Sequence, residues 1–279
     1  MKNDFVWALV IFMFCVVGIY YGIKNGGLSS PINKIVSPSI TQNNSAGENS
    51  TSATKTYSVS MNVYGEGSSD YNNEYVEIYA SGSNSAPINI TGWTLVSERT
   101  GNKAVIPKGV TLYSQTGSNV PQDVYLKPGE RAIISSSNSP IGVSTKLNIC
   151  SGYLTQERYF AQSIPRSCPI PNEESVPITN LDDRAECYDY IESLPKCRVQ
   201  NDNSFPKPDD SDVLPSACVT FIKNNLNYGT CVAQNLNNKK FDSGEWRIFL
   251  GAYKALWRND KDNIKLIDRS GNVVDSVEY

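Results

Sequence analysis

The sequence contains no histidine. Without an imidazole, neither a Ser-His-Asp triad nor a Cys-His pair can form, and histidine-ligated zinc is excluded. The charge switch that histidine provides near neutral pH is missing as well. The enzyme hypothesis that we retain for this chain is one that uses only carboxylates, as glycosidases do.

An excess of positive charge is also missing. The chain has 25 Lys and Arg residues against 28 Asp and Glu residues, a formal net charge of −3. Residues 24–56 carry +2 and residues 1–23 are neutral, so residues 57–279 carry −5. Binding to a nucleic acid backbone requires clustered Lys and Arg, so we expect no nucleic acid partner.

The usual signatures of metal, cofactor and catalytic sites are absent from the sequence. No two cysteines have the Cys-x₂-Cys spacing of a zinc site. The acidic run between Asp202 and Asp212 lacks the alternating ligands and central glycine of a calcium loop. Asp182 and Asp183 fit the acidic first turn of a helix better than a catalytic pair. No G-x-S-x-G motif or phosphate-binding glycine loop occurs, so we expect no cofactor, no small-molecule substrate and no enzyme activity.

One long apolar run is present, at the N-terminus. It extends from Phe5 to Ile23 without a charged residue. At about 1.5 Å per residue it spans about 28 Å, enough for a hydrocarbon core of about 30 Å. Tyr20 and Tyr21 lie near its end, where interfacial aromatics are common. No Ala-x-Ala-like cleavage site follows, so residues 1–25 are predicted to be an uncleaved transmembrane anchor.

The cysteines indicate the side of the membrane on which the body of the protein lies. Six of the seven follow the apolar run at wide spacings, as in disulfide-bonded proteins of oxidising compartments: Cys150, Cys168, Cys187, Cys197, Cys218 and Cys231. Residues 26–56 are rich in Ser, Asn, Thr and Gly, which predicts a disordered linker. We therefore expect a single-pass protein of the cell membrane, with a cytoplasmic N-terminus and an extracytoplasmic C-terminal domain.

Short alternating runs indicate β-strands in two parts of the chain. Between residues 57 and 136, apolar residues such as Val76 and Ile78 alternate with polar ones, and turn residues separate the runs. Residues 262–279 repeat this pattern on both sides of Asp268-Arg-Ser-Gly271, which predicts a β-hairpin. Because a lone hairpin is marginally stable in water, it should pack on the upstream strands. The prediction is a mainly β protein whose final residues close a β-sandwich.

Five of these stretches occur in the order found in lamin-tail domains. They are Glu74-Tyr-Val-Glu-Ile-Tyr79, Ile90-Thr-Gly-Trp-Thr-Leu95, Ile106-Pro-Lys-Gly-Val-Thr-Leu112, Leu126-Lys-Pro-Gly-Glu-Arg-Ala-Ile-Ile134 and residues 262–279. With them the chain resembles the lamin-tail domain (LTD) family over about 57–136 and 245–279. The resemblance implies an immunoglobulin-like β-sandwich. It also implies a display or interaction module of the kind that bacteria place on secreted and membrane proteins.

Residues 137–244 depart from the lamin-tail pattern, which has a far shorter connection here. A structureless loop of this length is implausible inside a compact domain, so a small inserted subdomain is predicted. Within it, residues 187–194 and 218–226 both follow Cys-x-x-aromatic-Ile with a Leu at helical spacing. The segment is therefore predicted to be an α-helical insertion stapled by disulfides.

Helix geometry limits how the cysteines can pair. Each predicted helix has one cysteine at its start and another just past its end, about 15 Å away, whereas a bridge requires Cα atoms within about 7 Å. Two antiparallel helices would place Cys187 beside Cys231 and Cys197 beside Cys218, which predicts the bridges Cys187–Cys231 and Cys197–Cys218. Cys150 and Cys168 remain for each other, which gives Cys150–Cys168 as the third bridge. Six cysteines allow fifteen connectivities, so other pairings stay open at this point.

The same organisation favours binding over catalysis. Binding residues are often carried on loops that a rigid frame holds in place, so the insertion is the expected binding element. Its aromatic residues would either form a recognition surface or pack the subdomain onto the sandwich: Tyr153, Tyr159, Phe160, Tyr188 and Tyr190. We predict a membrane-anchored cell-surface interaction or adhesion module for an extracellular protein or glycan. The alternatives are a passive structural component of the envelope and a carboxylate-based hydrolase.

Overall fold

The structure covers the part of the chain in which strands were predicted. The computed structural model describes residues 57–65, 68, 70–156, 158–207, 213–258 and 260–279. The predicted membrane span, 5–23, and the predicted linker, 26–56, lie outside these residues. Within the described ranges, no helix combines the length and the apolar character needed to cross a membrane.

The described residues contain eleven strands and three α-helices. The strands are β1 (Val59–Tyr64), β2 (Tyr75–Ala80), β3 (Ile88–Asn89), β4 (Thr94–Ser97), β5 (Lys103–Val105), β6 (Tyr125–Leu126), β7 (Arg131–Ser135), β8 (Thr145–Asn148), β9 (Asp242–Phe249), β10 (Asn263–Ile267) and β11 (Val273–Glu278). The helices are α1 (Leu181–Ser193), α2 (Ser216–Asn225) and α3 (Tyr228–Asn235).

The strands form three sheets. One has five strands in the order β1-β2-β7-β9-β8, the second has four in the order β11-β10-β4-β5, and β3 pairs with β6 in the third. Neighbouring strands are antiparallel except β7 and β9, which are parallel. The prediction of a mainly β protein with a helical segment is confirmed, because all three helices lie between β8 and β9.

Residues from all three sheets meet in one hydrophobic core. Alternation along the strands sends Ile78 of β2 and Leu266 of β10 inward, and both are fully buried. Trp246 of β9 is 1% exposed, and its indole N–H donates to the carbonyl oxygen of Tyr125. Trp93 is 4% exposed, so both tryptophans belong to this core.

The C-terminal hairpin closes this core. Strand β10 pairs with β11 on one side and with β4 on the other, where Leu266 lies opposite Leu95. The hairpin also reaches the five-stranded sheet, because Asp275 of β11 accepts a hydrogen bond of 2.7 Å from the backbone N–H of Met61 in β1. The prediction that the final residues complete a β structure begun far upstream is confirmed.

The inserted segment is shorter than predicted. Strands β8 and β9 are antiparallel neighbours in the five-stranded sheet, and Asn148 lies opposite Asp242. The predicted boundaries, 137–244, are wrong at both ends because these strands belong to the sheet. All four residues of β8 are buried, so no apolar–polar alternation marks it as a strand. We call residues 149–241 the insertion, and residues 57–148 with 242–279 the β-domain.

The insertion packs around two hydrophobic clusters. The proximal cluster joins it to the β-domain and consists of Leu147, Cys150, Tyr153, Leu154, Phe160, Ile164, Cys168, Cys197, Tyr228 and Cys231. The distal cluster consists of insertion residues alone: Val176, Cys187, Ile191, Leu214, Cys218, Phe221, Ile222 and Leu226. The insertion thus has a core of its own in addition to the one that it shares with the β-domain.

The three predicted disulfide pairs are wrong. The prediction was Cys150–Cys168, Cys187–Cys231 and Cys197–Cys218. The structure instead has the pairs Cys150–Cys231, Cys168–Cys197 and Cys187–Cys218, with Cα–Cα distances of 5.8, 5.2 and 5.7 Å. Each distance lies within the range that a disulfide requires.

Helix boundaries explain the error. Helix α1 begins at Leu181, six residues before Cys187, so this cysteine lies in the second turn and not at the start of the helix. It faces Cys218 in the first turn of α2. Cys231 lies within α3, a helix that the sequence pattern does not reveal. It is bonded to Cys150, which lies two residues after the end of β8.

A buried aspartate orders the loop that precedes β10 and should make stability depend on pH. Burial alone would raise the pKa of Asp262, but hydrogen bonds from the Ser97 hydroxyl and from the backbone N–H groups of Arg258, Arg99 and Asn263 outweigh it and lower the pKa. Because the folded pKa is depressed, this stabilisation is present above the ordinary aspartate pKa of about 4 and is lost as the pH falls through the folded value.

Urea unfolding at a series of pH values tests this expectation. The free energy of unfolding should fall below about pH 4, and it should fall less steeply in an Asp262→Asn variant, which has no carboxylate to protonate. Identical slopes in the two proteins would show that Asp262 does not contribute to the pH dependence.

Candidate binding groove on the insertion

A disulfide brings distant segments of the insertion together. Cys168 is bonded to Cys197, and Gly152 of the 3-10 helix Ser151–Thr155 lies directly against this bond. A Cβ atom added to Gly152 would overlap Cys197 Sγ and lie 2.9 Å from the carbonyl oxygen of Pro165. Only a residue without a side chain permits this close approach. The residues around positions 152, 166 and 197 therefore border the same surface.

Two adjoining cavities lie on this surface. The first, of about 640 Å³, is lined chiefly by Arg158, Tyr159, Phe160, Ser163 and Ile164. The second, of about 460 Å³, is lined by Pro195, Lys196, Arg198, Val199, Asn201 and Ser204. Both are also lined by Thr155, Gln156 and Arg166. Because the cavities share three lining residues, we treat them as one feature and call it the basic groove.

Four cationic side chains line the basic groove. Arg158, Arg166, Lys196 and Arg198 are all exposed, and none forms an ion pair with another described residue. One carboxylate, Glu157, is present in the same stretch of sequence and lies outside the described residues. Among the described lining residues the charge is therefore entirely positive.

The groove also offers neutral hydrogen-bonding groups and an exposed ring. Thr155 and Ser204 contribute hydroxyl groups, and Gln156 and Asn201 contribute amides. The side chain of Tyr159 is 81% exposed. The surface can therefore combine ionic contacts with directional hydrogen bonds and with stacking on one flat aromatic face.

A buried arginine of the β-domain holds one wall of the groove in place. Arg247 of β9 is 4% exposed, and its guanidinium donates to the carbonyl oxygens of Gln162 at 3.1 Å and Ser163 at 2.7 Å. Glu245 balances its charge at 2.6 Å. The side-chain amide of Gln162 in turn donates to the carbonyl oxygen of Asn72 at 3.0 Å. These contacts fix the segment around Ser163 against the rigid sheet.

A further cavity, of about 450 Å³, lies where the insertion meets the β-domain. Its charged groups are paired, since Lys146 Nζ lies 2.6 Å from Asp242 and 2.8 Å from Glu130. Burial opposes ionisation of Asp242, but hydrogen bonds from Lys146, Lys127 and the backbone N–H of Gly244 keep its pKa below the ordinary value. A general acid needs a raised pKa, so Asp242 does not suit that role in a carboxylate-based hydrolase.

The pKa of Glu74 is raised, unlike that of Asp242, but its carboxylate is held by hydrogen bonds from the protein itself. Burial raises the pKa of its carboxyl group. The carboxylate oxygens accept hydrogen bonds from the backbone N–H groups of Leu256 and Trp257 and from the Ser136 hydroxyl. These protein donors occupy the acceptor sites that a catalytic carboxyl would turn toward a substrate, so Glu74 anchors the loop before β10.

The aromatic residues predicted as a recognition surface do not act as one group. Tyr153 and Phe160 are buried in the proximal cluster, which is the packing alternative. Tyr190 is partly buried against Phe205, and Tyr188 is also partly buried. Tyr159, which lines the basic groove, is the strongly exposed member of this set.

Sequence reasoning missed the four cations of the groove. A signal was present, because Arg166 lies two residues before Cys168, and Lys196 and Arg198 flank Cys197. Once the bridge between these cysteines is known, the three cations fall on one surface. No protein-family model matches the chain, and searches of curated proteins and of solved structures also found no match.

Proposed function

We propose that this chain is an interaction module held at the cell membrane, in which the β-domain is a scaffold and the insertion binds a protein or a glycan. The three disulfides support a location in an oxidising compartment outside the cytoplasm. The apolar run at 5–23 would anchor the chain, and residues 26–56 would tether the domain. The N-terminus would then be cytoplasmic and the C-terminal domain extracytoplasmic.

The fold supports the role of the β-domain as a scaffold. Two multi-stranded sheets share one core, and the final hairpin completes it, as expected of an immunoglobulin-like sandwich of the lamin-tail type. Such sandwiches carry binding residues on segments at their edges. The insertion leaves the sheet at β8, its edge strand, and the connection therefore does not interrupt the core.

The observation that carries the proposal is the basic groove. Its cations are exposed and unpaired among the described residues, and its walls are fixed by a disulfide and by Arg247. A rigid concave surface with unsatisfied donors is suited to recognition, because little ordering entropy is lost when a partner binds. No catalytic activity is proposed for this surface.

Shortening the insertion tests the proposal. Asn148 and Asp242 face each other across the ladder, so residues 149–241 can be replaced by an Asn-Gly turn, which favours two-residue hairpins. Cells that carry the full chain, fused to a proximity-labelling enzyme, should label a defined set of envelope neighbours. The shortened chain should lose that set.

Two outcomes would contradict the proposal. Equal labelling by both proteins would move the binding surface to the β-domain. The absence of any specific neighbour would favour a passive structural component of the envelope. A membrane-impermeant thiol reagent, applied to intact cells before and after reduction, provides the control for location and for the disulfides, since labelling should appear only after reduction.

A further inference from the structure

The distribution of unpaired arginines singles out the basic groove. The sequence has nine arginines, all within the described ranges, and five of them form ion pairs with carboxylates. The other four are Arg99 and the three arginines of the groove, Arg158, Arg166 and Arg198. In a chain with an excess of carboxylates, three arginines in one concavity that form no ion pair with another described residue point to an anionic ligand.

Arginine also narrows the kind of anion. Its planar guanidinium presents parallel N–H donors that match the two oxygens of a carboxylate or a sulfate, whereas lysine is a point charge. Three of the four cations here are arginines. Because they line two adjoining cavities, a ligand that contacts all of them carries more than one acidic group.

The neutral lining is of the kind that recognises sugars. The hydroxyl groups of Thr155 and Ser204 already donate to the carbonyl oxygen of Gly152 and to Asn201 Oδ1, and their remaining lone pairs can accept from sugar hydroxyls. The side-chain amides of Gln156 and Asn201 can donate to the same hydroxyls. The exposed ring of Tyr159 can stack on the C–H face of a pyranose, whose apolar hydrogens complement the negative face of an aromatic ring.

Other polyanions fit less well. A lipid bilayer is flat, whereas these cations line a concavity. An acidic peptide that adds to a sheet needs a strand edge, and the described part of the insertion contains no strand. An acidic peptide held by the arginines alone would leave the ring of Tyr159 and the neutral amide groups of the groove without a role. We infer that the basic groove binds an acidic oligosaccharide, one that bears carboxylate or sulfate groups on successive sugars. This inference rests on the proposed role of the insertion as the binding element.

The inference is tested by calorimetric titration of the full chain in detergent. Four probes distinguish the possibilities: a uronic acid oligosaccharide, a sulfated oligosaccharide, a neutral glucose oligosaccharide of the same length, and a poly-glutamate peptide. At least one acidic sugar should bind, and the neutral sugar should not. Affinity should fall about tenfold between about 50 and 300 mM salt, because salt screens exposed charges.

Charge reversal identifies the groove. Arg166→Glu combined with Arg198→Glu should weaken binding of the acidic sugar by about 100-fold. The matched control is Lys239→Glu combined with Lys240→Glu, which makes the same change in net charge at exposed insertion residues outside the groove and should alter affinity less than about threefold. Peptide mapping of the three disulfide pairs, together with a circular dichroism spectrum like that of the parent protein, checks that both variants keep the fold.

The contradicting outcomes are distinct. Binding of poly-glutamate in preference to both acidic sugars would overturn the sugar inference and leave the insertion as a binding element. Equal loss of affinity in both double variants would show that the effect depends on net charge alone, and the groove would no longer be the proposed binding site. Unchanged binding of the acidic sugar after replacement of residues 149–241 would contradict the proposed function itself.

Discussion

Replacing Cys150 and Cys231 together by alanine should lower the free energy of unfolding by about 4 kcal/mol, because the bridge closes a loop of 81 residues and restricts the unfolded chain. The same change should loosen the base of the insertion, since Cys150 and Cys231 belong to the cluster that joins it to the β-domain. Urea unfolding followed by tryptophan fluorescence measures the first effect, and hydrogen exchange measured by mass spectrometry measures the second.

A second bridge provides the matched control. Cys187→Ala combined with Cys218→Ala opens a loop of 31 residues, so the expected loss is about 1 kcal/mol smaller. Faster exchange should then be confined to α1 and α2, whose side chains form the distal cluster. If this variant also exposed the strands of the β-domain to exchange, the two clusters would form one cooperative unit, contrary to the structure.

Removing the Glu74 carboxylate should also have a large effect. Glu74→Ala leaves the backbone N–H groups of Leu256 and Trp257 buried and without an acceptor, and the Ser136 hydroxyl loses its partner as well. Each unsatisfied buried donor costs about 1–3 kcal/mol, so a total loss of about 3 kcal/mol or more is expected. Urea unfolding provides the measurement.

Glu77→Ala is the control for this change. Glu77 lies three residues further along, in β2, and its carboxylate pairs at 3.3 Å with Arg131, whose side chain is half exposed. An ion pair of this kind contributes about 1 kcal/mol or less. A similar loss of stability in both variants would mean that the Glu74 hydrogen bonds do not anchor the loop before β10.

The closing hairpin could be predicted because the sequence signals that specify it lie within one short segment, 262–279. Ile264 and Leu266 alternate with polar residues, a four-residue turn follows, and the alternation resumes. An isolated hairpin needs a surface to pack on, so physical reasoning also supplied its upstream partners. By contrast, β8 has four consecutive buried residues and no such alternation, and it was assigned to the insertion.

The disulfide pairs could not be predicted because they depend on helix boundaries. In the sequence, Asn227-Tyr-Gly229 directly follows the second predicted helix, 218–226, and is typical of a helix end. In the structure, Asn227 is the N-cap of α3, where its side chain accepts a hydrogen bond from the backbone N–H of Thr230. The residue that separates two helices serves as a start signal as well as a stop signal. Because the sequence analysis did not predict α3, it placed Cys231 just past the end of the second helix, and the predicted Cys187–Cys231 pair was wrong.

The basic groove was beyond sequence reasoning for a related reason. Its cations come from segments around residues 158–166 and 196–198, which the Cys168–Cys197 bridge brings together. Net charge conceals such a surface, because an acidic chain can still concentrate unpaired arginines in one place. The net charge of −3 carries no information about the local concentration of positive charge in the groove.

The pairing of Asn148 with Asp242 has a consequence for how such proteins can diversify. Both ends of the 93 residues between them depart from facing positions on one rung of the sheet. A different lobe can be joined at that rung without lengthening a strand, provided that it also covers Leu147 and accepts the hydrogen bonds of Arg247, as the present insertion does. The β-domain can therefore carry a different segment at this position, and the surface that the protein presents would change with that segment.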